Sequence, residues 1–376
     1  MRKLKHQSSH LATKSRFSCK AVILCALLCL LLTFLLPLGL LLTGRIQPPP
    51  ISEVTQALPL PSALFPFATP KEEPALSAPP EPGERDSAVT LTVRIDGKDR
   101  EMNLGEYLWG VVAAEMPASF DLEALRAQAV AARTYTLYCM GQSNPSHPTA
   151  HICGDPGCCQ AWMDYKTRME EWGADAQTYA EKVSEAVRTT DGMSLSYDDA
   201  PILAAFHAAS AGSTKSALEV WGEDYPYLQE VASPEDGSLV PDYYSTVTVS
   251  AKQFAKKLKK AHPKLKLKGK DCSKWFGKVK KDPAGLPVSI AIGNQKISTG
   301  ELRSLFDLRS SSVALEGKEG NVTFYVTGYG HGVGMSQYGA SALAKEGKTA
   351  EEILAWYYPG AELVQPEGEV DEADKS

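Results

Sequence analysis

The chain has 376 residues, enough for about two average domains. With 43% hydrophobic and 22% charged residues it can bury a core, which excludes disorder throughout, and a net charge of −6 argues against a generic nucleic-acid binder. Eight cysteines are too few for a disulfide-built scaffold of this length.

Residues 1–20 form a basic tail carrying Arg2, Lys3, Lys5, Lys14, Arg16 and Lys20. Ala21–Thr43 holds no charge, and as a helix it would run about 35 Å, enough to cross a bilayer core of ~30 Å. Positive charge before the run and little after it place the N-terminus in the cytoplasm and the rest of the chain outside. A cleaved signal peptide is the alternative. The run exceeds the roughly 7–15 apolar residues of such peptides, and no small-residue cleavage motif follows closely. The expectation is therefore a single-pass anchor in the cell membrane. Residues 44–88 are dense in proline and read as a stiff spacer. One extracytoplasmic domain is expected over 89–364, and 365–376 reads as an acidic, disordered tail.

Within the domain, alternation at Leu91, Val93 and Ile95 followed by Asp96-Gly97 predicts a hairpin. Helices are predicted over Leu104–Met116 and Leu122–Tyr138, parted at Pro117, with Ser119 or Asp121 capping the second. A loop over Gly141–Cys159 and a helix over Lys166–Arg188 follow. Short strands are predicted at Met193–Tyr197, Ile202–Phe206, Tyr244–Val249, Val288–Ile292 and Val322–Thr327. Ser298-x-x-Glu301 and Thr349-x-x-Glu352 match capping boxes. Helices and strands mix without a regular βαβ alternation, so the predicted class is α+β. Between Lys252 and Lys281, thirteen lysines accompany one acid, Asp271, which leaves about −18 for the rest of the chain. This insert reads either as a patch for an anionic wall polymer or membrane surface, or as a solvated helix and hairpin.

Three stretches carry chemistry. Leu104, Leu108, Val111 and Glu115 fall on one helical stripe, so a carboxyl group ends an apolar face. Burial there would raise its pKa and make it a general acid near neutral pH, unless it pairs with Arg126 or Arg133. In SHPTAHICGDPGCCQ, His147 or His151 and Cys153, Cys158 or Cys159 offer imidazole and thiolate ligands suited to zinc, with a disulfide or an unliganded thiol loop as alternatives. In TGYGHGVGMSQYG, five glycines imply close backbone approach, and His331, Gln337 and Tyr338 offer donors and a stacking face for a sugar. A purely structural turn is the competing reading.

Four long motifs in one order resemble the stage II sporulation protein D (SpoIID) family, which includes amidase-enhancer relatives. They are EYLWGVVAAEMPASFDLEALRAQAVAARTY, HPTAHICGDPGCCQ, AAFHAASAGSTKSALEVWGEDYPYL and GYGHGVGMSQYGASALAKEGKTAEEILAWYYPG. The resemblance implies a lytic transglycosylase that cleaves peptidoglycan glycan strands stripped of stem peptides, to 1,6-anhydro-muramic products, during sporulation engulfment. It implies catalytic Glu115 and Arg133, and a structural Zn2+ held by His147, Cys153 and Cys159. Gln160, Trp162, His207, Tyr329, His331, Gln337 and Tyr338 are the expected substrate-binding residues. Implied partners are the glycan strands and stage II sporulation proteins P and M, with no nucleic acid. A non-catalytic glycan-binding enhancer of an amidase is the alternative function. Phe206 stands where the family has tyrosine.

Overall fold

The computed structural model describes residues 81–365. The basic tail, the expected anchor at 21–43, most of the spacer and the tail beyond 365 lie outside the described residues. No helix among those described is long and apolar enough to cross a membrane.

Helix α1 (Glu84–Ala88) falls inside the expected spacer. The hairpin forms as predicted: β1 (Thr90–Ile95) and β2 (Lys98–Asn103) pair antiparallel. Asp96 and Gly97 both take positive φ at its turn, as a tight two-residue hairpin loop requires. Helix α2 (Leu104–Glu115) is capped by the Asn103 side chain. It is buried around most of its circumference, since every residue from Leu104 to Ala113 except Glu106 is covered, so the expected single stripe is too narrow a description.

Helix α3 (Leu122–Met140) is central. Its alanines, Ala124 to Ala132, are fully buried and let neighbouring helices approach closely. Asp121 occupies its N-cap position without a side-chain cap bond. Strand β3 (Ile152–Cys153) runs parallel beside β1. The single helix expected over 166–188 is two, α4 (Tyr165–Trp172) and α5 (Ala176–Arg188), because Gly173 turns to a φ of +56° between them.

Strands β4 (Ser194–Tyr197) and β5 (Ala200–Pro201) pair. The expected strand over 202–206 is realised only at its end, in β6 (Phe206–His207). A short helix, α6 (Ala217–Val220), follows.

The lysine-rich stretch is part of a second core rather than an appendage. That core is built by β7 (Tyr244–Ser250), α7 (Ala251–Ala261), β8 (Phe276–Lys281), β9 (Pro287–Ile292), β10 (Gln295–Ser298), α8 (Thr299–Phe306), β11 (Ser312–Lys318) and β12 (Asn321–Thr327). Helix α7 buries Phe254 and Leu258 while Lys252, Lys256, Lys259 and Lys260 face solvent. Phe254 stacks on Phe306 at 5.2 Å. Two three-stranded sheets, β10-β9-β8 and β11-β12-β7, enclose this core.

The chain then returns to the main core through β13 (Met335–Ser336), paired parallel to β6, and helices α9 (Gln337–Lys345) and α10 (Ala350–Tyr357). Thr349 and Glu352 form the expected capping box. Ser298 caps α8, but the Glu301 carboxylate is turned to His262 at 2.6 Å instead of closing a box. Strand β14 (Glu362–Val364) completes a sheet with β4 and β5. The mixture of small antiparallel sheets and packed helices is α+β, as expected.

Candidate functional site

A cleft of about 910 Å3 opens where the end of α2, the residue 156–161 loop, β6, the segment after α6 and the glycine loop meet. Glu115 lies in its wall, at the last turn of α2 before Pro117 ends the helix. The Ala161 N–H donates to Glu115 Oε1 at 2.6 Å, and the Gln337 side-chain amide donates to Oε2 at 3.2 Å. Gln337 also donates to Gln128 Oε1 at 3.4 Å, which partners the carbonyl oxygen of this buried side chain of α3. No arginine among the described residues pairs with Glu115: Arg126 binds Glu123 and Glu185, and Arg133 binds Asp86. Burial raises the Glu115 pKa, and the two hydrogen bonds only partly offset that rise.

Part of the cleft lining is aromatic. His207 and His331 sit 5.5 Å apart between ring centroids, and Trp221 lies 5.4 Å from His331. Burial holds His207 down at about 3 and His331 at about 4, so both rings are neutral at pH 7. His207 Nδ1–H donates to the Val333 carbonyl, and its Nε2 accepts from Ser210. His331 Nδ1 accepts from the Val333 N–H. The glycine loop makes this approach possible. At Gly334, φ is +70° and a Cβ would lie 1.9 Å from the Ala205 carbonyl oxygen. Tyr329 is 44% exposed on the rim, with the Arg309 guanidinium 3.9 Å from its ring centre.

Several expected site residues stand elsewhere. Arg133 is 1% exposed and holds Asp86 through two hydrogen bonds of 2.8 and 2.6 Å. Its remaining donors go to Thr190 and to the Met193 and Val187 carbonyls, so it has none left for a ligand in the cleft. Gln160 is also sealed, donating to the Tyr107 hydroxyl and to Thr136. Trp162 lines a neighbouring depression with Cys153 and Cys158, and Tyr338 packs edge-on against Phe120 instead of lining the cleft. Conversely, Trp221, Glu223, Tyr225 and Arg303 line the cleft without having been singled out from the sequence. The first three belong to a quoted motif, VWGEDYPYL. Arg303 sits in the second core, where no local pattern marks it.

The His and Cys loop converges as well. Ligand atoms of His147, Cys153, Cys158 and Cys159 all lie within 4.8 Å of one another, and the cysteines are free thiols. Cys158, left out of the ligand set that the resemblance implies, therefore belongs with the other three. His147 Nδ1–H donates to the Ala150 carbonyl at 3.0 Å, which leaves the Nε2 lone pair facing Cys159 Sγ at 3.2 Å. His151 instead accepts the Thr92 N–H and stays outside the cluster. Pairing of β3 with β1 fixes Cys153, and a turn on Asp155 places the adjacent pair, whose N–H groups both donate to its carbonyl. One imidazole and three thiols are a donor set that fits zinc, and the spacing permits a tetrahedral site.

Fold and site together define an α+β domain with a cleft whose wall holds the half-buried carboxyl group of Glu115 and two thiols of a Cys/His cluster. The chain belongs to the stage II sporulation protein D family. The family model described as "Stage II sporulation protein" (SpoIID) matches residues 97–197. The chain is 38% identical over 262 residues to the stage II sporulation protein D of Bacillus subtilis, covering 69% of this chain and 74% of the relative. It is 35% identical to that of Bacillus amyloliquefaciens, covering 75% and 81%. An amidase enhancer of Bacillus subtilis is 30% identical over 68% of this chain and 40% of its own length.

Proposed function

We propose that this protein is a membrane-anchored peptidoglycan lytic transglycosylase, working outside the cell membrane in wall remodelling during sporulation engulfment. The supporting observation is Glu115: one carboxyl group of raised pKa, oriented by two donors, in the wall of a cleft faced by neutral aromatic rings. Protonated Glu115 gives its proton to the glycosidic oxygen that leaves C1 of N-acetylmuramic acid. The resulting carboxylate takes the proton of that sugar's C6 hydroxyl as its oxygen closes on C1, which forms the 1,6-anhydro ring and regenerates the acid. The nucleophile belongs to the substrate, so proximity replaces a bound water and a second catalytic carboxylate. Arg303 supports a preference for strands stripped of stem peptides, because a muramic acid without its peptide presents a free lactyl carboxylate. Stage II sporulation proteins P and M are the proposed partners.

Zinc on the His147, Cys153, Cys158 and Cys159 cluster would be structural. Cys159 lies two residues before Ala161, whose N–H holds Glu115, so fixing the loop also fixes the acid. Elemental analysis of the chain purified without chelator is expected to return about one zinc per chain, with Cys153→Ser losing it. A mapped Cys153–Cys159 disulfide and no zinc would exclude the site.

Incubating the purified chain with amidase-treated sacculi tests the function. Anhydro-ended products are expected. Ordinary reducing ends would mean hydrolysis, and retention on the sacculi without products would mean a glycan-binding module, the reading that the similarity to an amidase enhancer favours. The other carboxylate lining the cleft, Glu223, is exposed and accepts from the Tyr225 hydroxyl at 2.7 Å. Glu223→Gln is expected to lose less than about tenfold in rate and to yield the same anhydro products, whereas a second catalytic carboxylate would cost about 10²–10⁴-fold.

A further inference from the structure

Away from Glu115 and the thiol cluster, three carboxylates converge. Glu219 belongs to α6, Glu230 to the segment after the cleft wall, and Asp282 to the turn between β8 and β9. One carboxylate oxygen from each lies within 4.8 Å of the others. Asp282 is only 7% exposed. Its Oδ1 accepts the Leu286 N–H at 2.6 Å, while its Oδ2 is buried without a partner. Oε2 of Glu219 is a second buried oxygen without a partner. Lys215 is close enough for Asp282 and Glu219 to favour its charge, but its ammonium donates to the Pro287 carbonyl and the Ser311 hydroxyl, both at 3.1 Å. Clustered carboxylates repel one another, and burial together with Asp282 and Glu219 raises the Glu230 pKa. Buried oxygens without donors and mutual repulsion both call for a cation between the three groups.

We propose that Glu219, Glu230 and Asp282 form a calcium site. The donors are all oxygen, which suits a hard cation, while softer metals prefer the imidazole and thiol cluster. Calcium accepts six to eight oxygens at about 2.3–2.6 Å in adaptable geometry, which leaves room for water beside three side chains. Magnesium demands near-octahedral geometry at about 2.1 Å and suits such a dispersed set less well. The site also has a structural consequence. Glu219 and Glu230 bracket the segment that brings Trp221, Glu223 and Tyr225 to the cleft, and Asp282 belongs to a hairpin of the second core. The cation ties that stretch of cleft wall to the β8–β9 turn.

Isothermal titration of calcium chloride into the full-length chain, in buffer freed of calcium, tests this. The expected result is saturable binding of about one ion per chain and a higher thermal unfolding temperature. Asp282→Asn is expected to weaken binding at least about tenfold and to remove the calcium-induced shift. If Asp282→Asn does not fold, Glu230→Gln, at a partly exposed position, gives the same comparison. No heat and no shift with the wild type at millimolar calcium would overturn the proposal. So would a folded variant that binds calcium as tightly as the wild type.

Discussion

Glu115→Gln is expected to slow release of 1,6-anhydro products from peptide-free glycan by about 10³-fold or more, with the chain still folded. The amide matches the carboxyl in shape and can still accept from the Ala161 N–H, but it can neither give nor take the proton. One group serves both halves of the reaction, so its loss is not shared with another residue. The pH dependence follows from the direction of the shift. Glu115 must begin protonated, so kcat/KM falls as pH rises through its raised pKa. Stability changes in the same direction. The folded chain holds this proton more tightly than the unfolded chain. The stabilising contribution is fully present below the usual carboxylate pKa and is lost as pH rises through the folded value. Glu115→Gln does not titrate, so at neutral pH it should unfold at a higher temperature than the wild type, and the gap should close in acid. Retained activity in the folded variant removes Glu115 from the mechanism. An unchanged difference in unfolding temperature between acid and neutral pH refutes the raised pKa.

Asp86→Ala is expected to cost about 3–5 kcal/mol of stability, because it leaves the Arg133 guanidinium buried without its counter-charge. Both side chains are 1% exposed, and the pair joins α1 to α3 across 47 positions of sequence. A truncation starting at Val89, the domain boundary read from the sequence, should be destabilised to a similar degree. Replacing both partners with apolar residues, Asp86→Leu with Arg133→Met, should recover much of the loss, since no unpaired charge remains. Urea unfolding of the four proteins measures this. The same series separates a structural arginine from a catalytic one. If the double variant is stable and still releases anhydro products, Arg133 acts only through the fold. A stable variant without activity restores the role that the resemblance implied.

The hairpin at Asp96-Gly97, the central helices and the capping box at Thr349 were legible because each depends on residues within a few positions of one another. The helix over 166–188 was misread at Gly173, where one residue of positive φ splits an otherwise continuous apolar period. The α1 segment was hidden by the prolines before it, and its function depends on an arginine far along the chain. The lysine-rich insert looked like surface because charge dominated its composition. Its buried positions, Phe254, Leu258 and Trp275, are sparse but correctly phased.

For the site, the sequence by itself determined the chemical types: a carboxyl group at the end of an apolar helix, an imidazole and thiols in one loop, and glycines where two backbones meet. Those types are set by local pattern, since periodicity, turn chemistry and ligand spacing act over short stretches of chain. Only the tertiary structure decided which of them cooperate. It brought Gln337 to Glu115 across 222 positions, placed Trp221, Glu223 and Arg303 in the cleft, and returned Arg133 and Gln160 to the core. The physical reason is satisfaction of buried polar groups. Most find a partner wherever packing leaves one, and packing is a property of the whole folded chain.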